Sequence, residues 1–286
     1  MTSYLSVVPF HKEIAMNTYR IFVIAGGLMA CAPLAQAADD SAGRNPALND
    51  KWFFELGGYF PTSNTTAQLD STSAGVGTII DFKNVLGMDE RAQAVNLAAR
   101  WRFTERWRLE ASYFETHADG NRTTNQNIQW GNKFYPAGSQ LNSSLDVNDA
   151  RVSVGYSLFK TTDKELGIGF GFHVMGYNAS ISSQAIGSES KRVTAPLPVI
   201  TAYGAFSMDD KWSIAARLDR FSLTYNQYSG SITGLGLELL YQPFRHVGFG
   251  VGYQTLYIDF EATRGDFVGK INQNMQGPTA FLNASF

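Results

Sequence analysis

The chain has 286 residues, a formal net charge of -2 and a mean hydropathy of -0.16. Beyond the N-terminal region no apolar run reaches the roughly 20 residues of a membrane helix, which excludes a helical membrane protein, and the near-neutral charge offers no basic field for nucleic acid. Gly (27), Phe (20) and Tyr (13) are abundant, a composition that suits glycine-bent strands bounded by aromatic residues.

The N-terminus reads as a targeting segment. Arg20 precedes an apolar stretch, Ile21 to Cys31, and Ala35-Gln36-Ala37 is a small-x-small cleavage site. Residues 1–37 are therefore expected to be a signal peptide, with Met16 as the natural start and 1–15 an over-extended beginning. Cys31 leaves two readings. Leu28-Met29-Ala30-Cys31 is lipoprotein-like and would anchor the chain through a lipidated Cys31, whereas cleavage after Ala37 discards the only cysteine. Without it no disulfide framework is possible, although the compartment permits one. Residues 38–51 read as a short polar periplasmic lead.

From Trp52 onward the pattern has period two, the mark of strands. Trp52, Phe54, Leu56 and Phe60 oppose Glu55 and Tyr59. After a polar segment, Pro61–Glu90, Val95, Leu97, Trp101 and Phe103 oppose Asn96, Arg100 and Arg102; then Trp107, Leu109 and Tyr113 oppose Arg108 and Glu110. A second polar segment, Asp119–Ser144, leads to Val152, Val154 and Tyr156 set against Arg151 and Ser153. Leu166, Ile168, Phe170, Phe172 and Val174 oppose Gly167, Gly169, Gly171 and His173. The strand from about Thr194 to Phe206 has an ambiguous phase, with Pro196 and Pro198 pointing to an irregular start. Trp212, Ile214, Ala216 and Leu218 oppose Arg217 and Asp219, with a phase slip near Arg220 that suggests a bulge. Tyr228 to Ser231 reads as a tight reversal, and Leu235, Leu237, Leu239 and Tyr241 oppose Glu238. Val247, Phe249, Val251 and Tyr253 alternate with glycines. Beyond Thr255 the apolar residues Leu256, Ile258 and Phe260 change face, through a bulge or as an apolar lining of the outer mouth. Thr263–Gly269 is a loop, and the last strand ends at Phe286.

Apolar residues alternate with glycine, polar and charged ones, and turns alternate between short and long. That is the pattern of an all-β, closed antiparallel transmembrane β-barrel over residues 52–286, apolar outside and polar inside. About ten strands are expected, with eight or twelve left open. Trp52, Trp101, Phe103, Trp107, Trp212 and Tyr241 gather at the short-turn ends as a periplasmic girdle. The location expected is the cell outer membrane, with its lipid and lipopolysaccharide as partners.

The block Ile80 to Glu115 contains I-D-F-K-N-V-L-G-M, W-R-F and R-L-E-A-S-Y, and the chain ends on Phe286 in an alternating strand. In these features it resembles a family of small Gram-negative outer-membrane β-barrel proteins. The resemblance implies the barrel fold, outer-membrane location and delivery to the barrel assembly machinery through Phe286. It carries over no catalytic residues.

The inward phase gathers Glu55, Arg100, Arg102, Arg108, Glu110, Arg151, His173, Arg217, Asp219 and Glu238 in the lumen. Interleaved charges of both signs can pair there through charge-assisted hydrogen bonds. The reading is a polar-filled lumen with a structural or surface-interaction role, the alternative a charged constriction passing small solutes. A third reading, a surface hydrolase, rests on Glu115, His117 and Asp119 near the outer end of one strand, with Asp259 and Glu261 at a similar height. No omptin-like Asp-His arrangement, deacylase His-x-Ser pair or metal-ligand spacing is present, so the protein is expected to be no enzyme and to carry no cofactor or metal.

Overall fold

The computed structural model describes residues 45–70, 76–225, 228–262 and 269–286. The expected signal peptide, the cleavage site, Cys31 and all but the last residue of the 263–269 loop lie outside them. A one-turn helix α1 (Pro46–Asn49) precedes fourteen strands: β1 (Trp52–Tyr59), β2 (Thr62–Leu69), β3 (Ile80–Asp81), β4 (Ala94–Arg102), β5 (Trp107–Thr123), β6 (Ile128–Trp130), β7 (Lys133–Tyr135), β8 (Gln140–Lys160), β9 (Lys164–Ser183), β10 (Gly187–Ser207), β11 (Trp212–Tyr225), β12 (Tyr228–Tyr241), β13 (Val247–Ala262) and β14 (Gly269–Ser285).

Ten of them form an antiparallel wall in the order β1-β4-β5-β8-β9-β10-β11-β12-β13-β14, closed by β14 pairing with β1. Closure leaves no sheet edge in lipid, where an unpaired backbone group has no water to bond. The seam is locked at the chain end, where Trp52 and Phe286 exchange backbone hydrogen bonds of 2.8 and 2.9 Å. The segment Pro61–Glu90, expected as a loop, begins instead as wall. β14 pairs with β1 up to Tyr59↔Thr279 and resumes on β2 at Thr62↔Gln276 in the same register, so β1 and β2 continue one another across Phe60 and Pro61. The second expected loop, Asp119–Ser144, is mostly strand too: β5 runs to Thr123, β8 starts at Gln140, and the hairpin β6–β7 lies between.

The wall strands β8, β9 and β10 have 21, 20 and 21 residues. A tilted strand crosses a bilayer in roughly 9–11. Half of each strand therefore stands clear of the membrane, and the outward face marks where. At the short-turn, periplasmic end it is apolar: on β9 Leu166, Ile168, Phe170, Phe172 and Val174 are all exposed. The girdle lies along its lower edge, with Trp52 stacked on Trp101 at 5.3 Å and Trp212 tilted on Tyr241 at 4.5 Å. Farther out the same face turns polar: Glu115, His117 and Asp119 on β5, Arg220 on β11, and Glu261 on β13.

At that height the inward face becomes apolar. Leu145, Val147, Tyr177, Ile181, Leu197, Ile232, Leu256, Ile258, Ile271 and Met275 form one buried cluster inside the outer half of the barrel. No bulge is needed. β12–β13 and β13–β14 keep one register through Thr255, and β11 keeps its register through Arg220. The apparent changes of phase near Arg220 and Thr255 are a change of environment along an unbroken alternation. Of the two readings of residues 256–260, the apolar lining is the correct one for Leu256 and Ile258.

The ambiguous strand resolves in the same way. β10 sends Leu197, Val199, Thr201 and Tyr203 inward and Pro196, Pro198 and Ile200 outward. It pairs with β9 along its whole length, but its ladder to β11 begins only at Ile200. Two prolines that cannot donate end the second ladder just beyond that point.

Glycines on the inward face make room for rings. A Cβ on Gly250 would stand 2.1 Å from the Phe281 ring, which is buried with Phe53 and Leu240. Gly250→Ala should displace Phe281 from a close-packed layer and cost about 1–3 kcal/mol. Urea denaturation of the detergent-folded barrel checks this, with Gly236→Ala, where the nearest side-chain atom is 3.9 Å away, as the tolerated control.

Candidate functional site

The lumen of the membrane half holds a connected layer of charge. All ten residues expected there point inward: Glu55, Arg100, Arg102, Arg108, Glu110, Arg151, His173, Arg217, Asp219 and Glu238. Two further carboxylates complete the layer, Asp149 on β8 and Glu165 on β9. Each extends an inward face by parity, Asp149 that of Arg151, and Glu165 that of Gly167 and His173.

Glu165 is the periplasmic centre of the network. Arg102 holds it with two bonds of 2.8 and 3.0 Å, Arg108 approaches at 3.5 Å, and Ser157 donates its hydroxyl. The Arg108 guanidinium lies 3.2 Å from the centre of the Tyr203 ring and reaches Glu110 at 2.8 Å. Arg151 links Glu110 at 3.1 Å to Asp219 at 3.3 Å, and Arg217 meets Asp219 at 3.1 Å. His173 bonds Asp149 at 2.8 Å and stands 3.7 Å from Asp219. Burial on this scale is tolerable because nearly every charge has an opposite partner at hydrogen-bond distance. Arg100, which donates to a backbone carbonyl and has no ion pair, is one exception, and the two carboxylates Glu55 and Glu238 are the others. Neither carboxylate makes a hydrogen bond or ion pair with another described residue, and both line a cavity of about 90 Å³ and a second of about 50 Å³.

Both ends of the lumen are closed. At the periplasmic end the expected lead folds inward: α1 buries Ala47 and Leu48 in the barrel mouth. Asn45 caps it by accepting from the Ala47 N–H at 3.0 Å. Arg100 donates to the Ala47 carbonyl and Arg102 to that of Leu48 at 3.3 Å. At the outer end the β6–β7 hairpin and the chain around Phe82 form a cap, with Ile128, Trp130 and Tyr135 buried and Phe82 edge-on to Trp130 at 6.1 Å. Tyr135 donates to the Ile181 carbonyl at 2.9 Å, and burial pushes its phenol up to about 12. Beneath the cap lies the apolar cluster. Two of its described cavities measure about 20 Å³, where one water needs about 10–15 Å³.

The hydrolase candidates part company. His117 is brought together with Asp119, its Nε2 at 2.9 Å from Oδ2, and with Asp146 of β8, whose Oδ1 is 2.5 Å from Nδ1; Asn178 donates to the other Asp146 oxygen at 2.9 Å. Glu115 accepts instead from Tyr113, while Asp259 accepts from Asn272 and Glu261 faces Lys270 across the β13–β14 ladder. The His117 group sits on the outward, convex face of the wall just beyond the lipid belt, not in a cleft. Among the described residues no group of three or more His, Cys, Asp or Glu side chains could hold a metal ion.

A closed antiparallel barrel with an apolar belt outside and paired charges within is a transmembrane β-barrel of the Gram-negative outer-membrane class, and the belt places it in the outer membrane. No protein-family model matches the sequence, and no curated protein matches it. Among solved structures, the outer membrane protease OmpT from Escherichia coli is similar with a TM-score of 0.55 at 11% identity, covering 83% of this chain and 97% of that one. The attachment invasion locus protein Ail of Yersinia pestis aligns with a TM-score of 0.36 at 12% identity over 81% of this chain and 97% of its own. The likeness to OmpT is one of fold.

Two predictions follow from the charges. Glu165→Ala leaves Arg102 and Arg108 buried without their shared partner and should cost about 3–5 kcal/mol in urea denaturation of the folded barrel, with Glu165→Gln costing less. Hydrogen bonds to Asp146 and Asp119 hold the His117 imidazole above its ordinary value. A raised folded value means that the protonated clasp contributes fully below the unfolded value of about 6.5 and is lost as pH rises through the folded one. The urea midpoint should therefore fall between about pH 6 and about pH 9 by more in the wild type than in His117→Asn.

Proposed function

We propose that this protein is a non-conducting outer-membrane barrel with a structural or surface-interaction role, whose outer half is a rigid scaffold for the polar strands and cap above the lipid. One observation carries the reading: the lumen is obstructed at successive levels along its length. A stopper closes the periplasmic mouth, paired charges fill the membrane half, an apolar core fills the outer half, and a hairpin covers the top. A solute path would have to break the apolar core as well as the charge network.

The reading is non-enzymatic. Both ring nitrogens of His117 face carboxylates, which leaves neither free to take a proton from a bound nucleophile, and His117 lines none of the described cavities. The surrounding partners are outer-membrane lipid and lipopolysaccharide against the belt. Phe286, exposed at its lower edge and stacked on His246 at 5.1 Å, is the contact for the assembly machinery.

Purified barrel inserted into a planar lipid bilayer should show no stable conductance steps. Steps that persist in preparations shown by heat-modifiable gel migration to be folded would overturn this reading in favour of a narrow pore.

A further inference from the structure

The two glutamates without partners and the stopper share one arginine. Arg100 lines the cavity of about 90 Å³ together with Glu55, Glu238 and Arg217, and Ala47 and Leu48 of α1 also line it. The Arg100 guanidinium lies over the Phe53 ring at 4.7 Å and gives its hydrogen bond to the Ala47 carbonyl, while its Nε has no partner among the described residues. In the closed arrangement Arg100 thus serves the stopper, and two carboxylates facing the same space, Glu55 buried and Glu238 half-buried, go without an ion pair. A buried charge without a partner is expensive, and here the missing partner is at hand.

We propose that α1 is a releasable stopper and that Arg100 is its two-position latch. With α1 in place, Arg100 caps the Ala47 carbonyl. When α1 withdraws toward the periplasm, Arg100 loses that acceptor and turns across the cavity to Glu55 and Glu238, which gain the charge they lack. The closed state forgoes an ion pair, and the open state forgoes the burial of Asn45 to Leu48 and the Arg102 bond to Leu48, so the two oppose one another.

The outer attachments suit a short element that can detach. Asn49 donates to the Thr162 carbonyl at 2.8 Å and accepts from Lys160 at 3.3 Å, and Asp50 takes a two-point ion pair from Arg245 at 2.6 and 3.1 Å. Apart from the part-buried Lys160 bond they are exposed at the solvent rim, where such contacts are individually weak. Release would open the charged chamber to the periplasm only. The outer cap and apolar core remain, so the device is independent of the non-conducting reading, and conductance and stopper release can fail separately.

The test is thiol accessibility in the full chain with Cys31→Ser and Ala47→Cys, folded in detergent and exposed to a bulky water-soluble maleimide. Ala47 is buried in the closed state, so labelling reports withdrawal. Glu55→Gln with Glu238→Gln relieves the closed state and removes the open state's ion pairs, and should slow labelling by about tenfold. In an Arg100→Gln background the same pair of changes should have little effect, because the latch that couples them is gone. Equal rates with and without the glutamates would overturn the latch, as would an effect that persists without Arg100. Labelling that appears only on denaturation would show the stopper to be fixed. Heat-modifiable migration verifies that each variant is folded, and Leu48→Cys replaces Ala47→Cys if the latter does not fold.

Discussion

The wall strands obey one rule, broken only by an irregularity at Ser157–Phe159 of β8 among the described residues: side chains alternate between two faces, while the solvent on those faces changes along the strand. In the membrane half the outer face meets lipid and the inner face must take whatever is polar. Beyond the belt the outer face meets water and the inner face becomes the only place to bury apolar groups. Because the register runs unbroken through Thr255 on β13 and Arg220 on β11, the chemistry of the residues has to exchange sides while the backbone does not. The molecule is two barrels stacked end to end in one wall, the lower inside-out and the upper patterned like a water-soluble β-barrel.

The same constraint explains why the lower lumen is charged. A wall closed by ten strands encloses more space than glycine and serine can fill, and its apolar residues are already committed to lipid. Arginine is well suited to the remaining space. Its length reaches across the lumen, and its planar fork engages several acceptors at once, as Arg102 does on Glu165 and Leu48, and Arg151 on Glu110 and Asp219. The partners of one residue come from distant strands, so the network also ties together wall positions that backbone ladders do not link.

The alternation itself, the ten strands and the ten inward charges were legible in the sequence because lipid-facing residues such as Leu166, Ile168, Phe170 and Phe172 mark the phase strongly. Legibility failed where that mark stops. At Glu115, Asp119 and Ser144 the outward face becomes polar, and a strand whose two faces differ less reads as loop; this hid the outer halves of β5 and β8, all of β2, and with them Asp149. Glu165 stands just before Leu166, the first residue of its strand with a strong lipid-facing mark. The pairing of His117 with Asp146 joins residues 29 apart in sequence and depends on the β5–β8 register, which a single strand pattern does not specify. The stopper was illegible for another reason. Asn45 to Asp50 is too short for any periodicity, and its burial is decided by acceptors offered to Arg100 and Arg102 rather than by its own hydropathy.

The two closures differ in kind, and the difference follows from what each end must bury. The outer cap adds Ile128, Trp130, Tyr135 and Phe82 to an apolar core that would otherwise be open to water, so removing it would expose a continuous hydrophobic surface. It is held by packing distributed over many side chains. The stopper covers a charged chamber that tolerates water, buries only the short run Asn45 to Leu48, and is fastened by hydrogen bonds to its backbone carbonyls. Opening the outer end costs the cohesion of the upper barrel. Opening the periplasmic end costs a few polar contacts and the burial of one four-residue run, and frees Arg100 to face the carboxylates. If either end of this barrel moves while the wall stays folded, the balance of these terms makes it the periplasmic one.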